Sequence, residues 1–326
     1  MKRFLCISLA AMMVLAVSCK KEPKIPSVKT LEATEIEANS ARIHAKIDFD
    51  GIRNASTDFG FYWGTSKDPE GKYVMGEDVL DGKGDYSAVI TGLTPETQYW
   101  YKAFVKIDGN PYSGEILNFT TLPKGAVDLG IEMTRGDGTT YKLYWAKSNL
   151  CKSGLCAKPE DYGDYYAWAE TSPKANYNWS TYKFGEGPFS KYDPGSPDEN
   201  VNKTVLDPED DAVHVKLGRK WRMPTDAEWT ALREQCDWKW ISDYNGTGVS
   251  GSTITASNGN SIFLPAAGRW GGTGLDFAGS YGLYWSSTLL MSAPYAAWYA
   301  YFNSESFIRL YFSRYHGFSV RPVYED

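Results

Sequence analysis

The stretch GLTPETQYWYKAFV, Gly92 to Val105, decides how the first third of the chain reads. Gly92 and Pro95 are turn formers, and the run YWYKAFVKI at 99–107 alternates apolar residues on one face with a mixed set on the other. Working outward, similar short runs appear: ARIHAKID at 41–48, DFGFYWG at 58–64, DYSAVITGL at 85–93 and EILNFTTLP at 115–123. Gly, Asp and Asn turns separate them. Five such runs between Val28 and Leu122 predict an all-β sandwich.

The pattern breaks at Thr121–Gly125, and the expected boundary lies there. The rest of the chain has a different texture, rich in Trp, Tyr, Gly and Asn with long irregular connections. Its clearest helix begins at Thr225. Thr225 and Glu228 have capping-box spacing, and Trp229, Leu232 and Cys236 fall on one stripe, so a helix is predicted from Asp226 to about Cys236. The chain closes on a dense aromatic segment, with Phe, Trp or Tyr at 14 of the 44 positions from Tyr281 to Tyr324, about twice the overall 15%. Strand alternation sets Tyr299 and Tyr301 opposite Trp298, Ala300 and Phe302. A second run sets Ile308, Leu310 and Phe312 opposite Arg309, Tyr311 and Ser313. Apolar groups on both faces imply either a covering loop or an exposed binding patch.

The beginning of the chain reads as an export signal. Lys2 and Arg3 precede an apolar run from Phe4 to Val17 that is too short to span a bilayer, and Lys20–Pro26 reads as a tether. Loss of residues 1–18 removes Lys2 and Arg3 and takes the formal charge from −6 to −8. So acidic a chain, with no basic block, is a poor nucleic-acid binder. Length alone suggests two domains. Of the cysteines beyond Cys19, Cys151 and Cys156 are close enough to pair across a tight loop, Cys236 reads as a buried thiol, and no spacing matches a zinc site. The acidic stretch from Asp207 to Asp211 could hold a hard cation but lacks EF-hand spacing, and reads as a solvated loop. His44, His214 and His316 are scattered; His214 is expected in a strand and His316 at an exposed turn. No nucleophile elbow or phosphate loop is present. Neither an enzyme nor a cofactor is expected.

Three resemblances refine this reading. Leu15-Ala16-Val17-Ser18-Cys19 resembles the lipobox of bacterial lipoproteins, which implies cleavage before Cys19, lipidation of Cys19 and anchoring at the outer membrane or cell surface. Gly92–Val105 resembles the fibronectin type III signature over about residues 26–123, with Leu93, Pro95 and Thr97 ahead of a corner tyrosine at Tyr99; the buried Trp usual in the early strand is missing. The phrases PEDYGDYYAWAETSPK (159–174), GRKWRMPTDAEWTAL (218–232), NGNSIFLPAAG (258–268), GSYGLYWSST (279–288) and GFSVRPV (317–323) resemble the Fibrobacter succinogenes major paralogous domain over 125–326. That family is similar to the C-type lectin fold, shared with formylglycine-generating enzymes and the variable proteins of diversity-generating retroelements. The implied domain is α+β, with small antiparallel sheets, few helices and much loop.

The cysteine pair that carries formylglycine chemistry is missing, since no cysteine follows Cys236. The place comparable to the Trp-Asn-Asp triplet of calcium-dependent lectins reads Trp285-Ser286-Ser287, without a carboxylate, so no metal is expected there. The retroelement resemblance offers a mechanism in which adenines of asparagine codons are randomised on a fixed scaffold. The expected ligand-binding residues are Leu289, Leu290, Tyr295, Trp298, Ala300, Ser306, Ile308, Leu310, Phe312, Tyr315, His316 and Phe318. Trp298, which that mechanism cannot produce, would be framework if it operates. The expectation is thus a surface-anchored, adhesin-like protein: a fibronectin type III-like spacer carrying a lectin-like domain that binds a protein or glycan. A carbohydrate-binding accessory protein and a structural subunit of a surface assembly are the rivals.

Overall fold

The structure is a computed structural model that describes residues 27–48, 57–80, 84–107, 109–199 and 201–326. The expected signal segment, Cys19 and the tether lie outside the described residues. The described residues form two compact units: one takes those up to Ala33 with those of Ile43–Ala88 and Tyr99–Asn118, the other those of Thr34–Arg42, Val89–Gln98 and Phe119–Asp326. Among the described residues no helix is long and apolar enough to cross a membrane.

The N-terminal part is all β. Its strands are β1 (Val28–Thr34), β2 (Ser40–Ile47), β3 (Thr57–Gly64), β4 (Tyr73–Met75), β5 (Glu77–Leu80), β6 (Asp85–Thr91), β7 (Gln98–Ile107), β8 (Asn110–Ser113) and β9 (Leu117–Thr120). They form two sheets, ordered β1-β2-β6-β5 and β4-β3-β7-β8, with β9 also on β7. Alternation works as the sequence predicts: Phe61, Trp63, Tyr101 and Ala103 are buried, and β3 pairs with β7 so that Phe61 faces Ala103 and Trp63 faces Tyr101. Tyr86 joins the sheets. Its ring lies 5.1 Å from Phe59 and 5.0 Å from Phe61, and its hydroxyl donates to the carbonyls of Gly60 (3.2 Å) and Phe104 (3.1 Å). Gly60 is required because a Cβ there would sit 2.2 Å from the Val74 carbonyl oxygen of β4. Tyr99, the expected corner residue, is buried.

The C-terminal part begins with β10 (Ala126–Thr134), β11 (Thr140–Ala146), β12 (Leu150–Cys151) and β13 (Gly154–Leu155). Then come α1 (Ala212–Leu217), β14 (Trp221–Arg222), α2 (Asp226–Gln235), β15 (Cys236–Ile241), β16 (Gly251–Ala256), β17 (Ser261–Pro265), β18 (Arg269–Gly271) and β19 (Gly274–Asp276). It ends with β20 (Gly282–Leu289), β21 (Ala296–Phe302), β22 (Phe307–Ser313), β23 (Gly317–Phe318) and β24 (Val323–Glu325). The sheets are small: β10-β11-β24-β14, β15-β16-β17, β19-β18-β23 and β20-β21-β22, with β12-β13 closed by a Cys151–Cys156 disulfide.

The sheet β20-β21-β22 is built between two apolar clusters. Trp285, Ala297 and Tyr299 enter one, with Trp168, Tyr192 and Phe318; Tyr284, Ala300 and Phe302 enter the other, with Trp145 and Trp229. This accounts for apolar residues on both faces of the terminal strands: β20 and β21 are covered on both sides.

The helix at α2 forms as its cap requires. The Thr225 hydroxyl accepts from the Glu228 amide (3.2 Å) while Glu228 accepts from the Thr225 amide (2.7 Å), and Trp229 and Leu232 are buried. Its last residue is Gln235, and Cys236 already belongs to β15. His214 corrects the sequence reading: it lies in α1, not a strand. Asp211 caps that helix by accepting from the amides of Val213 (2.8 Å) and His214 (3.1 Å). Val213 is fully buried and Val215 is 53% exposed, which a helix allows and a strand, placing both on one face, does not.

Candidate functional site

Cover on the terminal sheet runs out at β22. The β21–β22 turn is held by Asn303, whose side-chain oxygen accepts from the amides of Glu305 and Ser306, both at 2.8 Å. From it the register runs Phe302 opposite Phe307 to Ala296 opposite Ser313. One face of β22 therefore carries Ile308, Leu310 and Phe312 beside Tyr301, Tyr299 and Ala297, and the other carries Arg309 and Tyr311 beside Ala300 and Trp298. β22 is the terminal strand of its sheet, and no described strand pairs with its outer edge. Ile308 is 45% exposed, Leu310 37% and Tyr311 51%.

Arg309 ties this edge to α2, donating to Asp226 at 2.6 Å and Thr230 at 3.2 Å, with its guanidinium 5.3 Å from the Trp298 ring centre. Burial raises the Asp226 carboxyl above its ordinary range, against the pull of Arg309. On the Ile308 face the apolar surface continues through Tyr301 to Tyr281 (ring centres 5.4 Å apart) and to Phe277 (5.2 Å). The rings are tilted by 46° and 41°, so they form no flat platform. The Arg269 guanidinium sits 4.6 Å from the Phe312 ring and 5.4 Å from Phe277.

The twelve expected ligand residues divide. Ile308, Leu310 and Phe312 share the exposed face, Ser306 and Tyr295 are exposed at the two ends of the hairpin, and Leu290, Trp298 and Tyr315 are half-buried. Leu289, Ala300, His316 and Phe318 are interior and are removed from the set. Leu289 and Ala300 sit in covered strands, Phe318 stacks on Trp285 with ring centres 4.1 Å apart, and the exposed turn expected at His316 is a buried one. The His316 ring stacks at 4.0 Å on Tyr315, with Nδ1 3.3 Å from the Ser313 carbonyl. Tyr311, Tyr301, Tyr281, Phe277 and Arg269 were not expected. Tyr311 and Tyr301 were legible on the same two runs; Arg269 and Phe277 reach this surface only through the β18–β19 hairpin.

The acidic stretch is not a solvated loop, since Asp210 and Asp211 are buried. Carboxylates of Asp207, Glu209 and Asp210 lie within 4.8 Å of one another. The Lys191 ammonium occupies their centre, at 2.6, 2.9 and 2.7 Å respectively. Burial works against the charge on Lys191, but hydrogen bonds to the three carboxylates outweigh it and raise its pKa. The cluster has its cation built in. Ser286 and Ser287, at the place comparable to a lectin triplet, are likewise interior.

Comparison with protein-family models gives no match, and comparison with curated proteins gives none. Among solved structures, similarity is found to the sensor domain of the anti-sigma factor RsgI4 of Pseudobacteroides cellulosolvens: 23% identity, 32% of this chain, 98% of that chain, TM-score 0.25. Two human fibronectin type III domains are also similar. That of KIAA0970 is 14% identical over 30% of this chain and 74% of its own, TM-score 0.22; the third such domain of KIAA0343 is 16% identical over 31% and 81%, TM-score 0.22. At these scores the likenesses carry no argument.

Proposed function

We propose that this chain is a lipid-anchored surface binding protein, non-catalytic, in which a fibronectin type III-like sandwich carries a C-type lectin-like domain that takes a protein ligand on β22. Small antiparallel sheets, two short helices and the long irregular passage between β13 and α1 support the lectin-like reading. The observation that carries the function is the edge strand itself: Ile308, Leu310 and Tyr311 stand in solvent on both faces of a strand whose neighbours are covered. Such a mixed aliphatic and aromatic patch suits a protein partner, whereas a glycan reader needs a flatter ring platform than tilted Tyr301, Tyr281 and Phe277 provide.

The anchor is tested by Cys19→Ala, which moves the chain from the membrane to the soluble fraction if Cys19 is lipidated. Ligand class is tested by incubating the chain with an array of cell-surface proteins and glycans. Protein hits support the reading, and a glycan-only profile overturns it. A fixed specificity is favoured over adenine-directed diversification, because Ala300 and Phe318, which randomised asparagine codons can encode, are core residues that random replacement would disrupt. Sequencing the gene's 3′ end across isolates tests this; substitutions confined to adenine-template positions would contradict it.

A further inference from the structure

A hollow of about 150 Å³ opens beside the β21–β22 turn, on the sheet face away from Ile308 and Leu310. Its apolar wall is Trp238, Phe302 and Phe307, already fixed against one another: the Trp238 ring lies 5.6 Å from Phe302 and 4.7 Å from Phe307, and its indole N–H donates to the Leu232 carbonyl at 3.2 Å. Trp240, two residues along β15, shares that face and is only half-buried. Among the described residues its indole has no hydrogen-bond or ring partner, and it lines the hollow. Polar groups complete the lining. Arg233, at the last turn of α2, and Glu305, in the turn, carry opposite charges into one hollow, yet they form no ion pair with each other. Ser252 opposite Trp240 is 3% exposed and its hydroxyl has no partner among the described residues. Asn303 is already spent holding the turn.

The chemistry of the lining narrows the ligand. An anion would face Glu305, a cation would face Arg233, and an apolar molecule would offer no partner to either charge or to the buried Ser252 hydroxyl. A neutral ring with C–H groups on its faces and hydroxyls around its edge offers a partner to each of them and an apolar face to Trp240. Its face covers the Trp240 indole while its hydroxyls donate to Glu305 and accept from Arg233. The volume is well below the roughly 300–1,000 Å³ of sites for drug-sized ligands, so it suits one ring and not a chain. We infer that this hollow binds a neutral hexopyranose, as the terminal residue of a glycan. The site lies at the turn end of the sheet, on the face away from Ile308 and Leu310, and stands or falls without those two residues.

The test is titration of the chain with methyl glucoside, galactoside and mannoside and N-acetylglucosamine, with glucuronate and glucosamine as charged controls. Binding is read by indole fluorescence and by saturation-transfer NMR. The expected result is saturable binding of at least one neutral sugar with Kd on the order of 1 mM, and of the charged analogues about tenfold or more weaker. Trp240→Ala and Glu305→Gln abolish it at unchanged Tm, Trp240→Phe retains part of it, and Leu310→Glu leaves it intact. Absence of binding by every neutral sugar overturns the inference, as does binding that survives Trp240→Ala or that favours a charged analogue.

Discussion

Arg321 and His316 mark what the interior of the C-terminal part demands of single residues. Arg321 is fully buried, and its guanidinium donates to the Asn149 side-chain oxygen (2.8 Å) and to the carbonyls of Ala146 (2.8 Å) and Phe263 (2.7 Å). Arg321→Met strands three buried acceptors, and urea unfolding should record a loss of about 3 kcal/mol or more. The partners of Arg321 lie far upstream, so no local pattern names them. Arg314 is held differently. Its guanidinium lies 3.8 Å from the Phe189 ring and 5.6 Å from Trp168, with Nη1 donating to the Tyr192 carbonyl at 3.2 Å, and burial lowers its pKa. No local pattern announces a cation held by rings from so distant a segment. His316 is pulled from the ordinary 6.5 to about 4, first by burial and then by Arg269, against the Ser313 carbonyl and Asp276. Between those values the unfolded chain takes up the proton and the folded one refuses it. Stability is therefore present above pH 6.5 and is lost as pH falls towards 4, by about 3 kcal/mol for this one group. His316→Phe should flatten that part of a Tm-against-pH curve relative to the wild type; parallel curves would contradict the assignment.

At the scale of elements, α2 was readable because its signal is local: a hydroxyl, a carboxylate three residues on, and an apolar stripe. The α1 helix was misread because Val213 and Val215 around His214 mimic a strand, while the cap that decides the matter is a single Asp. The strands β21 and β22 were readable as strands, yet alternation cannot say which of two strands is central and which is an edge. Position in the sheet comes from distant elements, and it moved Ala300 into the core while leaving Leu310 in solvent. The hairpin bonds from the Arg314 amide to the Tyr295 carbonyl and from the Asn303 amide to the Ser306 carbonyl set the pairing phase. They turn the amides of Arg309 and Tyr311 outward and those of Ile308, Leu310 and Phe312 inward. Hydrogen exchange followed by NMR should find Arg309 and Tyr311 exchanging faster than their three neighbours. Equal protection along the strand would mean that something covers this edge.

For the whole molecule, turn residues and a change of texture are distributed along the chain and mark the strands of an all-β first part, but the compact units do not follow the expected break at 121–125: Thr34–Arg42 and Val89–Gln98 group with Phe119–Asp326. The sequence did not supply the neutralised acidic cluster, since Lys191 and Asp210 meet only when the irregular passage folds back. Nor did it supply the hollow beside the β21–β22 turn, whose lining comes from α2, two strands of one sheet and the hairpin of another. Protein binding, as proposed, rests on one exposed edge strand in an otherwise covered sheet. The most direct measurement is titration of an array-identified protein ligand against the wild-type chain and against Leu310→Glu, with Tm recorded for both. The predicted result is about a tenfold or greater loss of affinity at unchanged Tm. Equal affinity for the two chains would show that the ligand is bound elsewhere.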